Sequence, residues 1–188
     1  PNMELTNAIY GRRSIRNFKQ VSVSRETLKH LVDAAIQAPS AMNEQPWCFY
    51  ITDDAQKLDR LSAAITNHLR VTISEEAFRT HREETREDAT HHIFHGAPVL
   101  IVIASHYKST WAIEDCFLAA QNLMLMVHSM GLGTCLIGSA LSYFQTVRGR
   151  KSINLAEHHR AGAPVVIGYP ASVPSRIGRA PARVRCID

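Results

Sequence analysis

The chain has 188 residues, 45% of them hydrophobic and 20% charged, with a formal net charge of +4. This length predicts one domain, residues 1–188, with a sizeable core. The positive charge suits an anionic ligand, but the arginines are scattered and no nucleic-acid-binding motif is present, which argues against nucleic acid as a partner. No apolar run approaches the ~18 to 20 residues that a membrane span needs, so no membrane partner is expected either.

Four cysteines are present without paired spacing: Cys48, Cys116, Cys135 and Cys186. Three of them lie in apolar stretches, so reduced thiols in a cytoplasmic protein are expected. The first residues show no basic segment followed by an apolar one, and nothing there indicates a secretion signal.

In chain order, the first predicted elements are two helices, a strand and a third helix. A short helix is predicted over residues 3–10, ending at Gly11. Ser24 can cap a second helix that runs to Gln37 with one apolar face. Residues 47–52 are predicted to form a strand, and Asp53-Asp54 then resembles the cap of a helix that runs to about residue 69.

The second half of the chain contains the most apolar segments. Residues 75–88 alternate acids and arginines and predict an exposed, salt-bridged helix. Residues 98–104 are continuously aliphatic, as in a strand buried on both faces. Residues 111–130 predict a long helix that should be buried all round, since it is apolar on nearly every side. Three further elements follow: strands at 133–139 and 163–169, with a helix at about 142–150 between them.

Two short segments carry the functional signal. Residues 12–16, Arg-Arg-Ser-Ile-Arg, place three guanidinium groups and a hydroxyl within five positions. Such groups bind phosphates and the edges of planar heterocycles, because they donate parallel N–H bonds and keep their charge. Residues 38–47, Ala-Pro-Ser-Ala-Met-Asn-Glu-Gln-Pro-Trp, form a stiff loop with several hydrogen-bonding side chains.

In this order the two segments resemble the entrance of an FMN-dependent nitroreductase-family protein. Residues 115–125 are similar to the family's central helix, and residues 131–138 to the glycine-rich turn and strand that follow it. Residues 165–171 resemble the last core strand. Arg179-Ala-Pro stands where the family carries a basic residue near a proline. The resemblance runs from about Ala8 to Pro181 and is weakest over residues 55–96.

The resemblance implies an α+β fold in which a central mixed β-sheet is flanked by helices, assembled as an intertwined homodimer. It implies two FMN sites at the subunit interface, each drawing on both chains. A second buried side at that interface would explain the apolar helix 111–130. The C-terminal segment, residues 171–188, is expected to be an arm that reaches over the partner subunit.

The resemblance also assigns roles in binding FMN tightly. Arg12 and Arg13 are expected to approach the phosphate and the ribityl chain, and Ser14 to add a hydroxyl contact. Arg16 matches the basic position beside the N1 edge of the flavin ring. A fixed cation there favours the reduced flavin, which carries negative charge at N1.

The loop is expected to contact the FMN of the other subunit. Its matching positions are Pro39, Ser40, Ala41 and Asn43, and Gln45 lies beside them. Many relatives have a second serine where this chain has Ala41, so any contact of Ala41 must come from its backbone or its methyl group.

Two further contacts follow from the resemblance. The backbone of Leu136, Ile137 and Gly138 is expected to face the flavin ring; an ordinary buried strand with a glycine bulge is the alternative. Arg179 is the expected C-terminal contact to the phosphate, with Arg176 as the alternative.

The function implied is ping-pong hydride transfer from NAD(P)H to FMN and on to a small-molecule acceptor such as a nitroaromatic or quinone. The flavin supplies the chemistry, so no catalytic side chain is expected. The alternatives are another flavin task (dehalogenation, flavin fragmentation or azoline oxidation) and a non-enzymatic flavin-binding protein. His91-His92-x-x-His95 permits metal binding, but polar helix surface or a pocket lid is the favoured interpretation, and no metal is expected.

Overall fold

A computed structural model describes residues 3–85, 92–106 and 110–187. The helices are α1 (Leu5–Gly11), α2 (Arg25–Ala35), α3 (Ala55–Thr72), α4 (Glu75–Thr85), α5 (Ala112–Ser129), α6 (Leu141–Phe144) and α7 (Val147–Ser152). The strands are β1 (Trp47–Thr52), β2 (Val99–His106), β3 (Gly133–Leu136) and β4 (His159–Gly168), and one-turn 3₁₀ helices lie at Ala41–Asn43 and Gly138–Ala140. The predicted helix 75–88 is therefore confirmed as far as Thr85, and its last residues lie outside the described ones.

Side-chain caps set the beginnings of several helices. The Ser24 hydroxyl accepts the N–H of Thr27 at 3.1 Å, and the Asp54 carboxylate accepts the N–H of Lys57 at 3.0 Å. Thr146 caps α7 in the same way, accepting the N–H of Gly149 at 2.9 Å. This cap corrects the prediction of one helix over 142–150, because a capping residue has an extended backbone and divides the segment into α6 and α7.

The four strands form one sheet in the order β1-β2-β4-β3. All three pairings are antiparallel, and the parallel element among the described residues is an isolated bridge between Ser14 and Thr134. The expected α+β fold is confirmed, with a sheet that is antiparallel between its four strands.

Helices cover both faces of the sheet. Alternate residues of β2 therefore enter two different apolar clusters: Leu100, Val102 and Ala104 on one face, and Val99, Ile101 and Ile103 on the other. This arrangement confirms the strand buried on both faces that the aliphatic run predicted.

Helix α5 packs on the sheet with one face and leaves the other uncovered. Cys116, Leu123 and Val127 are fully buried, whereas Phe117 is 37% and Leu118 is 45% exposed. The single chain therefore covers only one side of α5, and burial of its other side stays a prediction for the homodimer.

The C-terminal residues 171–187 have no regular structure and are exposed along their whole length. The hydrogen bond from the N–H of Ala171 to the carbonyl of Asn17 (2.9 Å) fixes where this segment leaves the domain. Within the described residues, no helix has the length and apolar character that a membrane crossing demands.

Candidate cofactor site

The arginine-rich segment 12–16 is anchored beside the first residues of β3. The N–H of Ile15 donates to the carbonyl of Thr134 at 2.8 Å. The Ile15 side chain is buried against Gly133, where an added Cβ would lie only 2.5 Å from Ile15 Cγ1. Gly133 therefore permits a close approach that fixes the arginines next to the sheet.

Arg12 is a half-buried cation among other cations. Burial lowers the pKa of the Arg12 guanidinium, and repulsion from Arg179 and Arg13 adds to the lowering against an opposing effect of Cys135. Among the ion pairs of the described residues, none involves Arg12 or Arg179. This donor set fits a phosphate dianion, which would supply the missing counter-charge and accept several N–H bonds.

Arg13 is positioned differently from Arg12. Its Nη1 donates to the carbonyls of Tyr10, Gly11 and Arg12 at 2.9, 2.9 and 2.8 Å. These carbonyls lie at the C-terminal end of α1, where a cation is favoured. In this chain Arg13 therefore closes α1 and orients the residue before it, while Ser14 is half-buried and Arg16 is exposed.

The two C-terminal arginines also differ. Arg179 is close enough to Arg12 to lower its pKa. Arg176 instead stacks on Tyr10, with its guanidinium carbon 5.8 Å from the ring centroid. Of the two alternatives left by the sequence, Arg179 is the one that contributes charge beside Arg12.

His128, in the last turn of α5, is a further basic group beside Arg12 and Arg13, and sequence reasoning missed it. A Cβ on Gly11 would lie 2.8 Å from His128 Nε2, so glycine at that position lets the two elements meet. Burial lowers the pKa of His128, and Arg12 and Arg13 lower it further. The glycine before the arginines was the one sequence signal of this contact.

The segment after β3 leaves open space. Ile137 is buried and its N–H donates to the carbonyl of Pro164 at 2.8 Å. Gly138 is exposed, and a Cβ there would meet no atom within 4 Å. Gly138 lies beyond the end of β3, so a glycine bulge in a buried strand does not describe it, and the space beside it can hold a ligand.

The loop 39–45 is strained and preorganised. Met42, Asn43 and Gln45 have positive φ angles of 51°, 55° and 48°, a conformation that costs non-glycine residues about 1–3 kcal/mol each. Inside the loop, Ser40 Oγ accepts the N–H of Gln45 at 2.9 Å, and Gln45 Nε2 donates to Asn43 Oδ1 at 3.1 Å. Pro39, Asn43 and Gln45 are exposed, so polar groups on a fixed backbone face outward.

A buried carboxylate attaches this loop to α5. Asp115 is 3% exposed, and both of its oxygens lie 3.3 Å from the backbone nitrogen of Ala41. Sequence reasoning included Asp115 only in the general match to a central helix, because the contact spans 74 positions of the chain.

The two halves of the expected site lie at opposite ends of α5. The loop is attached to Asp115, in the first turn of α5. Arg12 and Arg13 lower the pKa of His128, which lies thirteen residues later in the last turn of α5. At 1.5 Å per residue the two ends are about 20 Å apart. One chain therefore does not bring the residues of segment 12–16 and loop 39–45 to a single place.

His92 belongs to another part of the molecule, where it contacts α3. His92 Nε2 lies 3.2 Å from Asp59 Oδ1, and His91 lies outside the described residues. Across the described ranges, no cluster of three or more His, Cys, Asp or Glu side chains is arranged to hold a metal ion.

The sheet between helices defines an α+β protein, and its arginine cluster, which has no ion-pair partner among the described residues, suits an anionic ligand. The model of the Nitroreductase family matches residues 9–169. The nitroreductase NfnB of Mycolicibacterium smegmatis is 28% identical over 204 residues, covering 90% of this chain and 86% of that protein. The iodotyrosine deiodinase of Thermotoga neapolitana is 27% identical over 162 residues, covering 85% and 84%.

Solved structures agree on the fold. The FMN-bound nitroreductase of Bacteroides fragilis superposes with a TM-score of 0.84 and 22% identity, covering 100% of each chain. The chain belongs to the Nitroreductase family. The resemblance drawn from the two short segments is confirmed, and with it the oxidoreductase class.

Proposed function

We propose that this protein is an FMN-dependent oxidoreductase that transfers hydride equivalents in a ping-pong cycle from NAD(P)H to an electron-poor acceptor. The observation that supports this function best is the half-buried Arg12 beside Arg179, without a carboxylate partner among the described ion pairs. It stands where the resemblance assigns the flavin phosphate. When bound, FMN supplies the hydride-accepting and electron-donating chemistry.

The chain's own groups bind and orient the cofactor. Arg12 and Arg179 neutralise the phosphate, and the Ser14 hydroxyl adds a hydrogen bond. Arg16, exposed at the end of the same segment, provides a positive charge at the N1 edge of the ring. The open space beside Gly138 gives the ring a place against the backbone that follows β3.

The site is completed by a second copy of the chain. Segment 12–16 and loop 39–45 are held at opposite ends of α5, so a flavin that contacts both needs one from each subunit. Apolar side chains on α1 and α5 are uncovered in the single chain, and stable homodimers cover such surface: Leu5 66%, Ile9 53%, Tyr10 63%, Phe117 37% and Leu118 45% exposed. In the proposed homodimer the C-terminal arm, residues 171–188, extends over the partner.

The acceptor is proposed to be a small molecule such as a nitroaromatic or a quinone. A relative that is 28% identical is a nitroreductase, which favours this class. The chain has no glycine fingerprint of a dinucleotide-binding fold, so the nicotinamide is expected to dock transiently beside the flavin. No side-chain acid or base is required for hydride transfer, so none is assigned.

The test is an absorbance spectrum of the purified protein, followed by anaerobic addition of NADH and, separately, NADPH. One FMN per chain that either nucleotide bleaches, with reoxidation by a quinone or nitroaromatic, is the expected result. Bound FMN that neither nucleotide reduces would refute the NAD(P)H-dependent cycle. A protein that FMN cannot reconstitute would refute the flavin site itself.

Reductive dehalogenation is a second candidate, favoured by the 27% identity to an iodotyrosine deiodinase. In that reaction two electrons and a proton replace a carbon–halogen bond by a carbon–hydrogen bond and release halide. Dithionite-reduced protein mixed with 3-iodo-L-tyrosine should then release iodide, and the nicotinamide assay should show no turnover. Absence of iodide would remove this candidate.

A further inference from the structure

Asp115 is a buried acid at the end of α5 that holds the loop 39–45. Its side chain lies in the first turn of the helix, where the helix dipole favours negative charge. Taking a carboxylate out of water is costly unless hydrogen bonds replace the lost hydration. Among the described hydrogen bonds, the donor that Asp115 receives is the N–H of Ala41, shared by both of its oxygens at 3.3 Å.

The Ala41 N–H lies at the point where the loop changes direction. Ser40 is extended, with φ −139° and ψ 153°, and Ala41 begins a 3₁₀ turn whose next residue, Met42, is left-handed. The other side-chain hydrogen bonds described in this loop join its own residues, Ser40 to Gln45 and Gln45 to Asn43. Among the described side-chain hydrogen bonds, the one from Ala41 to Asp115 therefore joins the strained turn to the long helix α5.

We propose that Asp115 is a positioning residue for the flavin: it fixes Ala41 and, through it, presents the loop in the conformation that binds FMN. This inference rests on the proposed function, in which the loop contacts the flavin of the partner subunit. Without the carboxylate, the left-handed residues relax toward ordinary backbone conformations, and FMN binding must then order them again. The loss therefore falls on cofactor affinity more than on folding.

The experiment measures FMN affinity of the apo-protein by fluorescence titration, together with the thermal midpoint without FMN. Asp115→Ala removes the acceptor, and Asp115→Asn keeps an oxygen that can accept the Ala41 N–H. Glu114→Ala is the matched control, because Glu114 is an exposed acid in the same helical turn. Ala41→Pro removes the N–H from the other side of the bond.

The structure allows that proline. Ser40 already has the extended backbone that a residue before proline adopts, and Ala41 is not among the residues with positive φ. Ala41→Pro thus deletes one donor with little change of backbone, and it completes a double-mutant cycle with Asp115→Ala.

Asp115→Ala is expected to raise the FMN Kd about tenfold, as loss of one charge-assisted hydrogen bond would. Asp115→Asn should restore most of the affinity, and Glu114→Ala should stay within about twofold of wild type. In the cycle, the double variant should bind FMN no more weakly than either single variant.

Two results overturn the inference while leaving the flavin function intact. One is wild-type FMN affinity in Asp115→Ala with a lowered thermal midpoint, which would make the residue merely structural. The other is additive losses in the cycle, which would separate Asp115 from Ala41. Should Asp115→Ala fail to fold, Asp115→Asn and Ala41→Pro decide alone: equal, wild-type-like affinity in both overturns it. A wild-type protein that binds no FMN overturns the proposed function and this inference together.

Discussion

Arg12→Ala is expected to have opposite effects on FMN binding and on the stability of the apo-protein. In the structure Arg12 is half-buried and repelled by Arg179 and Arg13, and the described ion pairs give it no carboxylate. Removing the cation relieves that repulsion, so the thermal midpoint of the apo-protein should stay the same or rise. The same change deletes the charge-assisted contacts to the phosphate, so FMN should bind more weakly.

The size of the binding loss follows from the kind of contact. A hydrogen bond to a charged group contributes about 1.5–3 kcal/mol. Because about 1.4 kcal/mol corresponds to a tenfold change, the FMN Kd should rise roughly 10- to 150-fold. The FMN Kd of Arg12→Lys should lie between those of wild type and Arg12→Ala, since lysine keeps the charge and loses the planar guanidinium.

Both quantities can be measured on one preparation, by differential scanning fluorimetry of the apo-protein and by FMN fluorescence titration. Arg25→Ala is the matched control, because Arg25 is an exposed arginine in the first turn of α2 and its loss changes net charge equally. An unchanged Kd in Arg12→Ala would refute the phosphate role. A fall in apo-protein stability as large as the loss of binding would refute the electrostatic argument.

Three other predictions follow from neighbouring features. Arg16→Ala should lower the flavin midpoint potential by about 30 mV, roughly 1.4 kcal/mol for two electrons, in a dye-coupled titration; an unchanged or higher potential would contradict the N1 assignment. The native pKa of His128 is lowered below its unfolded value near 6.5, so the unfolded chain binds more protons and stability should decline as pH falls below about 6.5. In urea unfolding, His128→Gln should reduce the difference in the free energy of unfolding between pH 7.5 and pH 5.5. An equal difference in wild type and variant would contradict the role of His128. Leu118 is 45% exposed in the single chain, and Leu118→Arg would place a charge in the proposed interface. Sedimentation analysis should then show monomers that no longer retain FMN. Dimers that retain FMN would argue against this face of α5 as the interface.

Local patterns predicted the elements well where one short-range signal determines the structure. Strand Trp47–Thr52 was placed at its observed bounds, Ser24 caps the helix that it was expected to cap, and Asp54 is the one of the pair Asp53-Asp54 that caps α3. The division between α6 and α7 was missed because Thr146 is neutral in a helix pattern and acts as a cap only when its backbone is extended.

The sequence proposed the charged and loop residues of the candidate site but gave no sign of the residues that support them. Arg12 stands in a dense motif that local reading detects. Asp115 and His128 act on residues far away in sequence, and a buried acid or histidine near the end of an apolar helix gives no local sign of its partner. The choice between Arg179 and Arg176 likewise required the path of the chain after β4.

Helix α5 has 18 residues and separates segment 12–16 from loop 39–45, which has a consequence for pairs of mutant alleles. In a two-fold dimer each flavin would take its arginines from one subunit and its loop from the other. A chain that lacks the arginines of segment 12–16 and a chain that lacks loop 39–45 would each form inactive dimers alone. In the mixed dimer both lesions fall on one site, and the other site receives the intact arginines of one chain and the intact loop of the other. Two inactive alleles expressed together should therefore complement, with about one site in four restored under random pairing.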